Sequence, residues 1–246
     1  MSMSMSMSMS TSVTRTARDR VRDEVTREIL AVAGTHLAEQ GASALSLRSI
    51  ARDLGMAPSA LYRYFDGRDA LLSALIVAAY TSLADAVELA ADVAQVGAET
   101  EGAQWSAAPL AMRSWALARP HEWGLIFGSP VPGYRAPEET IVPYTRLAAA
   151  LLRPVVVAHR SGRLMVEPAE PDNASAAMAA AVAPVHDALM PDAPTVIVLR
   201  ALQAWSTIIG VISLELFGHW RQTVLDPALF FTETVRALGE QIGLPS

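Results

Sequence analysis

The segment from Leu45 to Phe65 carries the side chains whose types and spacing point most directly to a chemical task. Its pattern predicts two short amphipathic helices joined at Gly55, the second running from Pro58 to Phe65 with Leu61 on its buried face. The outer side of that helix bears hydroxyl, phenol and guanidinium groups, which can donate hydrogen bonds to phosphate oxygens or base edges. These groups belong to Ser59, Tyr62, Arg63 and Tyr64. The pattern therefore favours a helix-turn-helix that reads DNA.

The first helix of this pair must hold the corner in place. Ser46 precedes it, and a serine hydroxyl can cap a helix N-terminus. Gly55 supplies a positive φ, and Pro58 suits the opening turn of the next helix. The apolar positions at i, i+3, i+4 and i+7, which give one buried face, are Leu47, Ile50, Ala51 and Leu54. A glycine corner between helices is also common in purely structural proteins, so the geometry alone leaves both interpretations open.

Around this corner the chain resembles the TetR family of bacterial transcriptional regulators. The resemblance spans about Arg18 to Leu75 and includes a Leu-Tyr-x-x-Phe signature after the glycine turn. The other matching stretches are Glu39-Gln40-Gly41, Leu45-Ser46-Leu47-Arg48, Ile50-Ala51, Leu54-Gly55 and Arg68-Asp69-Ala70-Leu71-Leu72. The resemblance implies a homodimer on a palindromic double-stranded DNA operator, with one recognition helix in each of two successive major grooves. It also implies a ligand-responsive repressor that a small molecule releases.

The same resemblance assigns roles to single residues. Arg48 lies near the start of the first motif helix, where an arginine can contact guanine O6 and N7 or a phosphate. Arg18 belongs to an arginine-bearing arm that can reach phosphates or a minor groove, and Arg63 adds an outward cation. The positions that mostly contact phosphates in the family are here Ser46, Ser59, Tyr62, Tyr64 and Arg68.

Composition sets the fold class. The 246 residues are 52% apolar, contain no cysteine, and show little of the β-branched alternation that strands require. We therefore predict an all-α protein. The resemblance to the TetR family further implies an N-terminal three-helix DNA-binding domain with a helix-turn-helix and a larger helical C-terminal domain. The predicted division is a disordered Met-Ser-rich tail at 1–15, the DNA-binding domain at 16–67 and an effector-binding and dimerisation domain at 68–246. Residues 1–70 contain nine arginines and eight acidic residues, whereas residues 71–246 contain ten arginines and seventeen acidic residues, so the negative charge is concentrated in the C-terminal part.

Apolar periodicity and Gly or Pro positions predict the main elements. Helices are expected at about 16–40, 68–93, 106–119, 138–158, 195–217 and 227–242, with a connector at 95–104 and an ordered Pro/Gly-rich loop at 128–137. The helix at 195–217 is apolar enough that a monomer would leave much of it uncovered, which favours a partner subunit.

The segment from His121 to Tyr134, with Phe217-Gly218-His219-Trp220, is similar to the C-terminal domain of the WHG-type TetR subgroup found mainly in actinobacteria. That resemblance implies effector binding and pairing of the last two long helices with those of a second subunit. We expect an apolar or aromatic effector, although large apolar residues fill cores more often than they line pockets. The candidate pocket residues are Met112, Trp115, Trp123, Phe127, Tyr144 and Trp205.

Other functions find little support in the sequence. The chain has no GxSxG, Walker-type or GxGxxG motif and no cysteine, and its five histidines lack metal-ligand spacing. We expect no enzyme activity, no catalytic or metal site, and no cofactor. Arg200, Gln203 and Glu215 interrupt the most apolar run, so we expect no membrane span and a cytoplasmic protein. The competing interpretation is a helical small-molecule-binding or protein-interaction module without sequence-specific DNA binding.

Overall fold

The computed structural model describes residues 16–97, 100–165 and 174–245, and these residues form ten α-helices and no strand. The helices are α1 (Ala17–Gln40), α2 (Leu47–Asp53), α3 (Pro58–Leu61), α4 (Arg68–Gly97), α5 (Glu101–Ala118), α6 (Pro120–Phe127), α7 (Ile141–Arg160), α8 (Ala176–Leu189), α9 (Thr195–Leu216) and α10 (Pro227–Ile242). The predicted all-α class is confirmed. The tail predicted at 1–15 lies outside the described residues.

The first three helices and the start of α4 form an N-terminal unit, here called the head. A capping box starts α1, since the Thr16 hydroxyl accepts from the Asp19 amide while the Asp19 carboxylate accepts from the Thr16 amide. Gly41 ends α1 at a φ of 77°. The buried core of the head consists of Ile29, Ala33, Leu45, Leu47, Ile50, Ala51, Leu61, Phe65, Leu71, Leu72, Leu75 and Ile76. The head therefore draws part of its core from α4, past the predicted boundary at residue 67, and that boundary stays a prediction.

Helix α4 connects the head to the rest of the chain, here called the body. It has 30 residues and ends at Gly97, four residues beyond the predicted end. At about 1.5 Å per residue it is roughly 45 Å long. Its first turns bury Leu71 and Leu72 in the head, whereas Leu83 and Val87 are buried in the body. One continuous helix thus belongs to both cores.

The body packs α5 to α10 around the second half of α4. Trp105 of α5 is fully buried, and its indole N–H donates to the Val235 carbonyl of α10 at 2.8 Å. Gly239 faces this ring so closely that a Cβ there would lie 2.8 Å from the Trp105 Cδ1 atom. Helix α10 has its predicted bounds, and the Asp226 carboxylate caps it by accepting from the Leu229 amide. A glycine is required at 239 because the two helices meet there.

Three helical segments are long and apolar enough to cross a membrane by length and composition alone: Arg68–Gly97, Glu138–Arg160 and Thr195–Leu216. In this fold their buried residues, such as Leu83, Leu147 and Ile208, pack together in the body core. Core packing therefore accounts for much of their apolar character.

Candidate DNA-binding surface and effector site

The corner between α2 and α3 has the geometry of a helix-turn-helix. Gly55 adopts a φ of 65°, and its amide donates to the Arg52 carbonyl at 3.0 Å. The Met56 amide closes the turn by donating to the Ala51 carbonyl at 2.8 Å. Pro58 occupies the first turn of α3, where its missing N–H leaves no donor unsatisfied. Leu61 is fully buried beneath the corner.

Two local predictions about this corner are wrong. Helix α3 ends at Leu61 rather than Phe65, and residues 62–64 continue as a turn in which the Tyr64 amide donates to the Leu61 carbonyl. Ser46 stands at the N-cap of α2, but its side chain accepts no capping hydrogen bond. Instead the Ser46 carbonyl accepts from the Ser49 hydroxyl at 2.9 Å. The hydroxyl of Ser46 is therefore left for another partner.

The exposed donors of the head lie on the two motif helices and at the start of α1. Arg48 is the second residue of α2 and is exposed, whereas its neighbour Leu47 is buried. The Tyr62 side chain, at the end of α3, is 47% exposed. The other predicted contact residues that are exposed are Arg18, Ser59 and Arg63. Two helices thus present cationic and hydroxyl groups outward from an apolar core.

Other predicted contact residues are partly used within the head. The Arg22 guanidinium lies 5.3 Å from the centre of the Tyr64 ring and donates to the Arg63 carbonyl at 3.3 Å, so α1 supports the end of α3. The Arg68 guanidinium donates to the Ala42 carbonyl at 3.0 Å and joins α4 to the turn that precedes α2. These contacts stiffen the recognition segment. Arg15, at the start of the predicted arm, lies outside the described residues.

A histidine–aspartate pair, absent from the sequence predictions, ties the corner to α1. His36 is only 6% exposed, and its Nε2 atom lies 2.7 Å from the Asp53 carboxylate at the end of α2. The hydrogen bond with His36 holds the pKa of Asp53 below its usual value. The pair fixes how α2 sits on α1, and with it the direction in which Arg48 points.

In the body, four aromatic side chains form a closed circuit of ring contacts, here called the aromatic circuit. Its members are Tyr80 of α4, Phe127 of α6, Tyr144 of α7 and Trp205 of α9. Around the circuit, neighbouring centroids are 5.9, 6.5, 5.7 and 5.7 Å apart, and the interplanar angles are 89°, 71°, 88° and 79°. Three of the predicted pocket residues therefore meet. Tyr80 was not among the predicted residues, because its spacing on α4 indicates only the helix face on which it lies and not the rings it contacts on other helices.

Two cavities open beside the aromatic circuit and share Tyr144. The larger, of about 390 Å³, is lined by Tyr80, Tyr134 and Tyr144 together with small and aliphatic residues. The smaller, of about 160 Å³, lies among α7, α8 and α9, with Trp205 and aliphatic side chains in its wall. Burial raises the pKa of Tyr80 to about 12, and it raises the pKa of Tyr144 as well, so both phenols are uncharged at neutral pH. The cavities offer aromatic faces and neutral hydroxyls.

The remaining predicted pocket residues lie in the core of the body. Met112 and Trp123 are fully buried, and Trp115 is nearly so. The Trp115 indole donates to the Ser82 hydroxyl, and that of Trp123 donates to the Ser213 hydroxyl. The Trp123 ring also contacts Phe127 of the aromatic circuit, with centroids 4.5 Å apart and ring planes tilted by 47°. None of the three lines a described cavity, and their contact with an effector stays a prediction.

The wall of the larger cavity is also part of the head's packing. Ile126, Val131 and Tyr134 line the cavity and pack against the core of the head. The Tyr134 phenol lies 2.9 Å from the Ser73 hydroxyl of α4. It donates this hydrogen bond, because the Ser73 hydroxyl already donates to the Asp69 carbonyl. The predicted ordered loop at 128–137 is therefore the joint between cavity and head.

A cleft of about 700 Å³ opens between head and body. Its head side is α1, with Gly34 and Ala38, and its body side includes Ala78 of α4 and Glu122 of α6. Burial raises the pKa of the Glu122 carboxyl, while the nearby Arg119 opposes that shift. Small side chains on both sides leave the space open.

An exposed helix-turn-helix fused to a helical body with an aromatic cavity defines a ligand-responsive DNA-binding regulator. Residues 29–75 match the family model described as bacterial regulatory proteins, tetR family. Residues 105–238 match the model described as tetracyclin repressor-like, C-terminal domain. The chain belongs to the TetR family, and it is a transcriptional regulator rather than an enzyme. Regulators of this family are soluble and bind DNA operators and small-molecule effectors.

Related sequences and solved structures agree with this assignment. The chain is 34% identical to the HTH-type transcriptional regulator Rv1816 of Mycobacterium tuberculosis over 227 residues, which cover 90% of this chain and 93% of that protein. It is similar to the crystal structure of the regulatory protein SCO4313, with 38% identity, a TM-score of 0.72, and coverage of 91% and 98% of the two chains. RolR in complex with resorcinol, at 17% identity and a TM-score of 0.52, shares the fold.

Proposed function

We propose that the protein binds a palindromic operator as a homodimer, represses transcription there, and is released by an apolar or aromatic small molecule that binds beside the aromatic circuit. The observation that carries this proposal is the wall shared by the larger cavity and the head. A molecule that fills the cavity pushes on Ile126, Val131 or Tyr134, and those side chains press on the helices that carry the exposed donors.

The exposed hydrogen-bond donors of the head are assigned to two kinds of DNA contact, bases and phosphates. Arg48, exposed at the start of α2, is the residue we assign to base readout, where a bidentate contact to guanine contributes about 1–3 kcal/mol of discrimination. Arg18 and Arg63 are assigned to the phosphate backbone, which sets affinity and its dependence on salt. The remaining proposed phosphate contacts are Ser46, Ser59, Tyr62, Tyr64 and Arg68.

The homodimer is supported by the uncovered side of α9. Leu214 and Phe217 are 41% and 51% exposed, and Gly210 has no atom within 4 Å of the position of a Cβ. A glycine on an apolar helix face lets a second helix approach closely. Two heads related by a two-fold axis then meet half-sites about 34–36 Å apart.

The effector acts through differential binding. A ligand that fits better when the heads are turned away from DNA lowers operator affinity by the same factor by which DNA lowers ligand affinity. Such a ligand also raises the thermal stability of the dimer. A compound that raises stability without lowering operator affinity is therefore bound but is not an effector.

The test is DNase footprinting of the intact protein on the intergenic DNA upstream of its own gene, at several salt concentrations. We expect a palindromic footprint that weakens with salt. Arg48→Ala should remove the footprint, whereas Arg160→Ala, an exposed arginine at the end of α7 in the body, should keep it. Equal binding to all sequences, or no binding, would overturn the proposal and favour a ligand-binding or interaction module.

We also place the protein in the cytoplasm, where an operator-binding protein meets its DNA. Fractionation of cells that express the full chain tests this placement. Recovery in the membrane pellet after a high-salt wash would contradict it, because the three apolar helices would then lie in lipid rather than in the body core.

A further inference from the structure

We infer that the effector is an organic cation: an apolar or aromatic small molecule that also carries an alkylated ammonium group and binds at the aromatic circuit. This inference rests on the proposed function, because it names the chemical class of ligand for the same site. It depends on three features of the described residues: the arrangement of the rings, the absence of charged side chains from the cavity walls, and the charges around the cavity mouth.

The first feature is the arrangement of the rings. Neighbouring rings of the circuit meet at steep angles of 71–89°. The larger cavity is lined by the rings of Tyr80, Tyr134 and Tyr144, and the smaller one by those of Tyr144 and Trp205. An aromatic face attracts a cation that lies within roughly 6 Å of its centre. All four side chains also keep solvent-accessible surface, and Tyr144 is 39% exposed. Rings packed only to fill a core would be buried, as Trp105 and Trp123 are.

The second feature is the lack of charge in the cavity walls. None of the described residues that line the two cavities is an arginine, a histidine or a carboxylate. An anionic effector would lose its hydration there without gaining a counter-charge. A cation gains the negative faces of several rings, and an alkylated ammonium group loses little hydration because its methyl groups cover the charge. The uncharged phenols of Tyr80 and Tyr144 keep their ring faces available over the physiological pH range.

The third feature is the sign of charge outside the cavities. Glu138 and Glu139 are exposed on the 3-10 turn that ends at Thr140, and Thr140 and Ile141 line the larger cavity. One exposed arginine, Arg135, lies between the lining residues Tyr134 and Ala136, so two carboxylates stand against one guanidinium at this edge. Residues 71–246 carry ten arginines and seventeen acids. A field of this sign raises the local concentration of cations at the entrance. Walls and surroundings thus favour the same class of ligand.

The test uses three probes of one shape and different charge: choline, its uncharged carbon isostere 3,3-dimethylbutan-1-ol, and the anion 3,3-dimethylbutyrate. Binding to the full chain is measured by isothermal titration calorimetry without DNA, at constant ionic strength. We expect choline to bind at least tenfold more tightly than the alcohol, and the carboxylate not to bind. Equal affinity for choline and the alcohol, or tighter binding of the alcohol, would show that the site selects shape and apolar surface and would overturn the inference.

Variants locate the binding. Tyr144→Phe keeps the ring and should keep the preference for choline, whereas Tyr144→Leu and Trp205→Leu should lose it. Trp220→Leu is the matched control, because Trp220 pairs with Phe230 outside the circuit. If the Trp205→Leu variant does not fold, the test rests on Tyr144→Leu, which should fold because Tyr144 is partly exposed. A choline preference that survives Tyr144→Leu would place binding elsewhere and overturn the inference.

The two proposals can fail separately. Arg48→Ala should keep the choline preference, because Arg48 lies on the head and the probes bind in the body. A protein that prefers choline but has no palindromic footprint would refute the proposed function, and only the cation preference of the cavity would remain. A protein that gives the footprint but does not prefer choline would support the proposed function and overturn the inference of a cationic effector.

Discussion

At the scale of single residues, the contact that most directly orients the DNA-facing surface is the pair of His36 and Asp53. The histidine lies within the head, and the aspartate lies at the end of the helix that carries Arg48. Neither residue touches the proposed DNA contacts. The hydrogen bond between His36 and Asp53 holds α2 against α1. Its loss should therefore loosen the corner between α2 and α3 while leaving every proposed DNA-contact residue present.

Replacing Asp53 with asparagine should remove a pH-dependent part of the stability of the protein. The pKa of Asp53 is lower in the folded state, so its stabilisation is complete above the unfolded pKa near 4 and is lost as pH falls through the folded pKa. The difference in melting temperature between wild type and Asp53→Asn should therefore be constant from pH 7 to about 5 and shrink below about 4. Thermal unfolding followed by circular dichroism measures it.

The matched control is Asp66→Asn, which neutralises an exposed aspartate in the same domain. This variant should not reproduce the pH profile. A difference for Asp53→Asn that stays the same from pH 3 to pH 7 would mean that the pair contributes geometry without charge.

At the scale of elements, the sequence predicted most of what depends on local chemistry. Helix α10 has its predicted start, end and cap, and the glycines at 41 and 55 adopt the positive φ expected of them. The start of α5 was predicted five residues too late, because Gly102 suggested a connector. Thr100 caps that helix by accepting from the Ala103 amide at 3.2 Å. A threonine before an acidic residue was the signal that could have located it.

The contacts that could not be predicted join residues far apart in the chain. Tyr80 and Trp205 meet only because α4, α6, α7 and α9 pack around one centre, and helical periodicity reports a face rather than a partner. The same holds for Trp115 and Trp123, whose spacing suits a pocket and a core equally. Exposure of Arg48 and Tyr62 followed from periodicity, but the pairing of His36 with Asp53 did not.

Between elements, a two-pronged ion pair of the body joins α5 to α9. The Arg113 Nε and Nη2 atoms lie 2.8 and 2.5 Å from the two oxygens of Glu215, and the side chains are only 16% and 13% exposed. Arg113→Ala should cost about 3–5 kcal/mol in the free energy of unfolding, because it leaves the Glu215 carboxylate partly buried without its partner. Urea unfolding measures the loss.

Two further variants define this prediction. The double variant Arg113→Met with Glu215→Leu should recover most of the lost stability, since apolar side chains of similar size replace both charges. Arg236→Ala, which removes an exposed arginine that pairs within α10, should have no measurable effect. A loss below about 1 kcal/mol for Arg113→Ala would show that water already compensates the carboxylate.

At the scale of the whole molecule, α9 is the helix that we propose forms the contact between subunits. Its buried side builds the body core, and its other side leaves apolar residues such as Leu214 and Phe217 uncovered. A helix of this composition needs a partner on that side to avoid a large exposed apolar patch. The two-fold symmetry of the proposed operator complex would then originate in the body rather than in the heads.

Gly210→Glu should convert the proposed dimer to a monomer. A Cβ at 210 would have no atom within 4 Å, and glutamate has a higher helix propensity than glycine, so the subunit itself should fold at least as well. Between two close helices the same carboxylate would be buried without a partner. Size-exclusion chromatography with light scattering should show halved mass, and the operator footprint should weaken.

Ser114→Glu provides the comparison, because it adds the same charge at an exposed position of another body helix, α5. This variant should keep the mass of the wild type. An unchanged mass for Gly210→Glu would place the subunit contact on another surface.

The cleft of about 700 Å³ between α1 and the body gives the head a direction in which to move. The head is anchored on one side by the continuous helix α4 and by the hydrogen bond of Tyr134 to Ser73, while on the other side it faces unfilled space. The head can therefore rotate about its contact with the cavity wall, toward the cleft. A molecule bound in the cavity would expand that wall and rotate the head into the cleft, and the same rotation in both subunits of the proposed dimer would change the distance between the two recognition segments.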